Sequence, residues 1–401
     1  MNPQRTYLDW NATAPLRPEA RAAILGALDC VGNASSPHAE GRRARALLER
    51  AREEIAVCLN TDARRVYFTS GATEAANWLL SPSLARAPRK APLELLLVGA
   101  TEHAAVLEGH RFAKSMVERI PVDSNGVVEL AWLEARLAKA AAQHGPGATL
   151  LALQAANNET GVLQPLASLA SLAAAAGAFW VCDAVQAVGR LALAPDALGN
   201  AVLFLSGHKL GGPKGVGAVV FANDELNCEP FVRGGGQERR QRSGTENIAA
   251  IAGLAAALAA VMSEREAASQ RAERLQRRFE AGLKSLMHNV VIFGAAAPRL
   301  ANTTAFALPG IAAETALIAL DLAGVAVSSG SACSSGKVAA SHVLAAMQVG
   351  PALLASALRV STGPLSTEAD IDACLAALRQ IAEGHAERHL KREKGRARQL
   401  A

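Results

Sequence analysis

Between residues 38 and 230 the chain repeats one alternation, short uninterrupted apolar runs followed by longer alanine-rich stretches. The apolar runs lie at 66–69, 93–98, 150–153, 179–182 and 202–205, with 217–221 as a further return. Neighbouring side chains of a strand point to opposite faces of its sheet, so a run that is apolar at every position must be covered on both sides. Strands of that kind, separated by helical segments, build a mainly parallel sheet with helices packed on both faces.

The pattern changes after Gly234-Gly235-Gly236. A long helical stretch is expected from about 246 to 287, with Glu264, Arg265, Glu266, Arg277 and Arg278 on its polar side. Short strands at 303–308 and 325–328 then alternate with helices, the pattern of a smaller α+β domain. The expected division is a large domain over 15–258 and a small domain made of 1–14 and 259–401. At 401 residues the chain is long enough for two such cores.

Composition removes several function classes. Half of the residues are hydrophobic and 19% are charged, which excludes a disordered tail protein. The net charge of +5 is concentrated near 389–398, and aromatic residues are only 4%, so no nucleic-acid partner is expected and the basic end reads as a solvated helix. The first ten residues hold no apolar signal core, and the longest apolar run, 248–262, is short for a bilayer. No membrane association is expected. Cys30, Cys58, Cys182, Cys228, Cys333 and Cys374 stand singly, without the paired spacing of a zinc site or a disulfide framework. A cytoplasmic protein with reduced thiols is the expectation.

Three strand ends carry candidate chemistry. The run at 202–205 passes into Ser206-Gly207-His208-Lys209 and a Gly-Gly-Pro turn. In open α/β sheets ligands sit at the carboxyl ends of strands. A lysine there is desolvated and becomes a neutral, imine-forming amine; a surface loop lysine is the other reading, and Lys214 beyond the turn is the rival. A second run ends at Asp183, which needs a cationic partner if buried, a protonated pyridine nitrogen being one, or else caps the next helix. The third, Thr69-Ser70-Gly71-Ala72-Thr73, offers free N–H groups and a helix dipole to a phosphate, although such a sequence is also a plain helix cap. Phosphate site, imine lysine and carboxylate together describe pyridoxal phosphate. Neither GxxxxGK[ST] nor GxGxxG is present after the first strand to favour a nucleotide.

Ordered motifs then run nearly end to end: Tyr7-Leu8-Asp9-Trp10-Asn11-Ala12-Thr13, Asn33-Ala34-Ser35-Ser36-Pro37-His38, Thr101-Glu102-His103, Asn157-Asn158-Glu159-Thr160-Gly161, Asp183-Ala184-Val185-Gln186, Arg242-Ser243-Gly244-Thr245, Ser331-Ala332-Cys333-Ser334 and Arg359-Val360-Ser361-Thr362-Gly363. On these the chain resembles the cysteine desulfurases of the class V aminotransferase family, pyridoxal phosphate enzymes of fold type I. The resemblance implies an α/β fold whose large domain holds a mainly parallel, seven-stranded-type sheet covered by helices, beside the smaller α+β domain. It implies that Lys209 carries the cofactor, Asp183 pairs with its pyridinium nitrogen, and His103 stacks on the ring and moves protons. Asn158 and Gln186 would bond the phenolic oxygen, while Ala72, Thr73, Ser206 and His208 hold the phosphate. Thr245 would reach the phosphate of the other subunit, so a homodimer is implied. Arg359 would clamp the carboxylate of L-cysteine, with Asn11 and Asn158 beside the substrate.

Cys333 would be the nucleophile that takes sulfur from the substrate and a transient iron–sulfur ligand when a cluster is shared with a scaffold partner. Its neighbours are nearly all small, which predicts an exposed loop, an unusual home for a structural cysteine. The implied reaction converts L-cysteine to L-alanine and passes the sulfur from Cys333 to an iron–sulfur scaffold or another acceptor protein. Two departures stand out: Trp10, where the family usually has another residue, and Lys337-Val338-Ala339-Ala340 after the cysteine, which bears on partner choice. A selenocysteine lyase or aminotransferase on the same fold is the rival among enzymes, and a non-catalytic sulfur-scaffold binding protein the rival outside them.

Overall fold

A computed structural model of the chain describes residues 5–86, 91–193, 198–199, 201–223, 226–329 and 340–399. Seven strands form one sheet: β1 (Val66–Thr69), β2 (Leu95–Gly99), β3 (Val117–Ile120), β4 (Thr149–Gln154), β5 (Phe179–Asp183), β6 (Ala201–Ser206) and β7 (Gly217–Val220). Their spatial order is β1-β7-β6-β5-β4-β2-β3. Only β7 runs against its neighbours, so the other six leave the sheet at one common edge. The expected mainly parallel, seven-stranded α/β sheet is what the chain forms.

Consecutive strand residues feed two different cores, which is why the runs do not alternate with polar residues. Leu97, Leu151, Leu153, Trp180, Leu203 and Leu205 pack on one face, under Ala39–Cys58, Leu130–His144, Leu166–Ala175 and the start of the long helix Ile248–Leu286. Leu96, Val98, Ala152, Val181, Val202 and Phe204 pack on the other, against Ala72–Leu79. There Trp78 meets Tyr67 and Phe221 edge-on, each with ring centroids 5.9 Å away. A third core joins Leu8, Phe279, Phe306, Leu358 and Ile371 around a three-stranded antiparallel sheet, Val291–Ile292, Thr303–Ala307 and Ala357–Ser361. The N-terminal strand Thr6–Tyr7 joins this end of the chain by pairing with Val325–Ala326.

Some boundaries move. The strand expected from 93 begins at Leu95, because the Leu93 N–H is spent on Pro82 O outside the ladder. The strand expected to 328 stops at Ala326, and Ser328 instead bridges Arg359 through both backbone groups. By length and apolar content, Ile248–Leu286 passes for a membrane span. In the chain its first half is seated on Pro18–Leu28 and Ala39–Cys58, and Gly253 is the close approach, since a Cβ there would lie 2.7 Å from Ile24 Cγ1.

Candidate active site

Thr69, Gly99, Gln154, Asp183 and Ser206 end five parallel strands at one edge, and the candidate residues follow them. After β6 a 3-10 turn, Gly207–Lys209, carries the lysine back over the edge. Lys209 Nζ donates to Asn11 O at 2.6 Å and to Ala12 O at 2.9 Å. Burial, then the charges of Arg359 and Arg190, lower its pKa to about 8. An amine this close to neutrality keeps an available lone pair at physiological pH, as covalent capture of an aldehyde requires. Lys214, the rival, is exposed beyond the turn.

On the neighbouring strand, burial pushes Asp183 up to about 6, against the pull of a 2.9 Å bond from Val185 N and the charge of Lys209. A carboxylate held in that state gains from a cation brought to it. Behind it sits Glu102, fully buried, with Oε1 accepting Gln154 N at 2.7 Å and Oε2 without a partner. Burial, then the charge of Asp183, raises Glu102 well above the usual carboxylate range.

The third strand end makes a cradle. Gly71 (φ 156°) precedes the helix Ala72–Leu79, whose first N–H groups face outward with no side-chain cap. Glu74 steadies the turn by accepting Ser70 N at 2.9 Å. Across the cradle lies buried Ser206, its Oγ 3.9 Å from where a Gly71 Cβ would stand. Gly217 permits the approach, because a Cβ there would meet Leu205 O at 2.6 Å and Gly71 Cα at 2.9 Å. His208 Nδ1 lies 3.2 Å from Thr13 Oγ1, and burial, Lys209 and Lys214 lower its pKa to about 4, so it is neutral with Nε2 left over. Thr73 is exposed at the rim. Thr245 is also exposed, three residues after Arg242, which pairs with Glu74 at 2.8 Å and so ties the 242–245 segment to the cradle of its own chain.

The remaining candidates come from opposite ends of the sequence. Arg359 is buried, giving Nη1 to Asn158 O at 2.9 Å and Nη2 to Asp9 Oδ1 at 2.6 Å, with Nε unpartnered. The Asn158 side chain is half-buried while its carbonyl holds Arg359 and Asn11. Asn11 is spent on structure: Nδ2 donates to Asn158 O and Thr303 Oγ1, and Oδ1 accepts Asn302 Nδ2 at 3.0 Å. Gln186 Nε2 gives one bond to Asn11 O at 3.0 Å, and its Oε1 accepts Arg190 Nη1 at 2.5 Å. His103 Nδ1 accepts Ala105 N at 3.1 Å, which leaves Nε2 as the proton-carrying nitrogen. Partial burial, Lys209 and His342 lower its pKa, so the ring is neutral.

Cys333 lies outside the described residues. The segments flanking it do not: Ser328 is paired with Arg359, Ser341 Oγ donates to Glu159 Oε2 at 2.5 Å, and His342 Nε2 meets Glu102 O at 2.8 Å. The thiols of Cys182, Cys228 and Cys374 are buried and pushed up by that burial, Cys228 to about 11 and Cys374 to about 12. Such thiols are inert. Cys30 and Cys58 are only half-buried.

The donor set fits pyridoxal phosphate: a near-neutral lysine, a strand-end carboxylate that gains from a cation, and a cradle of helix N–H groups with Ser206 and His208 for a phosphate. Glu102 and Arg190 belong to this setting and escaped the sequence reading; Glu102 adjoins His103, and Arg190 lies four residues after Gln186.

A family model described as aminotransferase class-V matches residues 6–374. The chain is 37% identical over 378 residues to a protein named IscS-like cysteine desulfurase from Mycobacterium tuberculosis, covering 93% of this chain and 95% of that one. It is also 37% identical to the cysteine desulfurase of Cereibacter sphaeroides, over 95% of this chain and 96% of the relative. The solved structure of a NifS-like protein from Rickettsia africae superposes with a TM-score of 0.84 at 33% identity, covering 95% of this chain and all of that one. The motifs, the strand-end site and these likenesses agree: the chain belongs to the class V aminotransferases, in their cysteine desulfurase group.

Proposed function

We propose that this chain is a pyridoxal phosphate-dependent cysteine desulfurase, converting L-cysteine to L-alanine and leaving the sulfur as a persulfide on Cys333. The observation that carries the reading is the convergence of Lys209, Asp183 and the Gly71–Ser206 cradle at one sheet edge, with buried Arg359 arriving from the far end of the chain. Lys209 would hold the cofactor, Asp183 its ring nitrogen, and the Ala72–Thr73 N–H groups with Ser206 and His208 its phosphate; Gln186 and Asn158 would hold its phenolic oxygen. When bound, the cofactor supplies an electron sink for the charge left as the α-proton departs.

Arg359 orients the substrate carboxylate; its planar guanidinium is fixed by Asp9 and Asn158 O before substrate arrives. Lys209, released as a neutral amine, takes the α-proton on Nζ. His103 Nε2 is the second site that can carry a proton in the cavity. The Cys333 thiolate then forms the S–S bond as the substrate C–S bond breaks, leaving its electron pair on carbon; a proton delivered to the former sulfur-bearing carbon and the return of a proton from Lys209 Nζ to the α-carbon complete L-alanine. Residues 15–258 form the cofactor-binding unit in this reading, while 1–14 and 259–401 bring Arg359 and Cys333. The enzyme is a cytoplasmic homodimer whose Thr245 completes the neighbour's phosphate site. The persulfide passes to an acceptor protein for iron–sulfur cluster assembly or other sulfur-containing products, with Cys333 as a transient cluster ligand.

Incubation with sulfur-labelled L-cysteine tests the reading. Alanine should form in step with label on the peptide containing Cys333. Alanine formation that consumes a keto acid, with no labelled thiol, would make the chain an aminotransferase instead.

A further inference from the structure

A cavity of about 660 Å³ lies between the 10–19 segment, the 188–191 turn, the middle of the long helix Ile248–Leu286 and the 299–302 and 363–365 loops. Ala72, His103, Asp183 and Ser206 do not line it; of the residues holding the cofactor only Lys209 is shared. Its volume is that of a small-molecule site. Trp10, the departure from the family pattern, forms an aromatic wall, and Gly363 is the residue that admits the ring, since a Cβ there would fall 2.1 Å from it. Val188, Leu191 and Val261 continue the apolar surface.

The polar part of the wall has one sign in excess. Six Arg and Lys side chains line the cavity against three Glu, but Lys209 is the near-neutral cofactor lysine and Arg299 is paired with Glu280 at 2.9 Å, which leaves Arg190, Arg265 and Arg271 as the cations to consider beside Arg17. Arg17 already pairs with Glu264 at 3.0 Å. Among the described residues Arg190 pairs with no carboxylate: its Nη1 is held by Gln186 O at 2.7 Å and Gln186 Oε1 at 2.5 Å, and the charge acting on it is that of another guanidinium, Arg359. Arg265 on the long helix forms no ion pair among the described residues either. A guanidinium without a counter-ion beside an aromatic wall recognises a planar or elongated body ending in an oxyanion.

We infer that this cavity is a second ligand site, taking one amphipathic anion, a carboxylate or sulfonate on an apolar body, with the oxyanion toward Arg190 and Arg265 and the apolar part against Trp10 and Val261. The inference stands apart from the desulfurase reading, and its test reads binding, not turnover.

Anilinonaphthalene sulfonate, a planar amphipathic anion, serves as the probe against the cofactor-loaded enzyme. Its fluorescence should rise saturably with one site per chain. The uncharged analogue phenylnaphthylamine should bind at least about tenfold more weakly, about 1.4 kcal/mol. Arg190→Met should weaken the sulfonate by a similar factor. Should that variant fail to fold, Arg265→Gln, on a half-buried helix position, carries the same expectation. Three results would overturn the inference: no saturable binding, equal affinity for the charged and uncharged probes, or sulfonate binding unchanged in the folded arginine variants.

Discussion

Asp183→Asn should stabilise the cofactor-free protein while loosening its hold on the cofactor. Burial raises the Asp183 pKa from 3.8 to about 6, so the folded chain binds this proton more tightly than the unfolded one. Below about pH 4 both states are protonated and the residue costs nothing. As pH rises the unfolded chain releases its proton first, and folding must then retain a proton or bury a charge. The penalty is complete above about pH 6, and a shift of about two units at about 1.4 kcal/mol per unit makes it about 3 kcal/mol. Asparagine removes that penalty, keeps the volume, and leaves an Oδ1 to accept the Val185 N–H at 2.9 Å. With an unfolding entropy of about 2.1 cal/mol/K per residue over the chain, the gain corresponds to a rise in Tm of about 3–4 °C near neutral pH. Thermal unfolding of the two cofactor-free proteins, followed by circular dichroism from about pH 4 to about pH 8, measures it. With pyridoxal phosphate present the order should reverse, because only the carboxylate pairs with the protonated ring nitrogen. An asparagine variant no more stable than the parent near neutrality, or a gap equally large at the acid end, would refute the argument.

Lys209→Ala should abolish the visible absorption of the loaded enzyme together with turnover; a borohydride-fixed cofactor in that variant would move the assignment to another lysine. Cys333→Ser should keep its colour and still change its spectrum with L-cysteine, yet form essentially no alanine or persulfide, because a hydroxyl is a far poorer nucleophile toward sulfur than a thiolate. Gly217→Val should fold less stably and lose cofactor on gel filtration, since its Cβ alone would sit 2.6 Å from Leu205 O and 2.9 Å from Gly71 Cα and would push the cradle open; full retention would show that the approach of β7 to Gly71 does not shape the phosphate site. Thr245→Ala should release cofactor faster without abolishing binding, one bond to a charged group being worth about 1.5–3 kcal/mol, and sedimentation should find a dimer; an active, loaded monomer would contradict the shared site.

What the sequence made legible was whatever a local pattern encodes. β4, β5 and β6 read as strands because each supplies both cores and is apolar throughout. β3 does not read, because it is an edge strand carrying Glu118 and Arg119, the former paired with Arg136, and an edge facing water has no need of a continuous apolar run. The same division runs through the site. Lys209, Asp183 and the Gly71 turn are legible because a reactive residue directly after an apolar run is local information. Glu102 is not, although it adjoins His103: its total burial beside Asp183 follows from how β2 and β4 pack, and a lone Glu in sequence carries no mark of a raised pKa. Arg190 reads as an ordinary turn residue until Gln186 and Arg359 are seen around it. Asn11 shows the limit most plainly. Its bonds to Asn158, Thr303 and Ser361 join segments up to 350 residues apart, and Lys209 in turn rests on the Asn11 carbonyl. The cofactor lysine is therefore aimed by a residue whose value lies wholly in long-range contacts, so an Asn11 substitution should disturb Lys209 and Arg359 together, a coupling that neither motif alone contains.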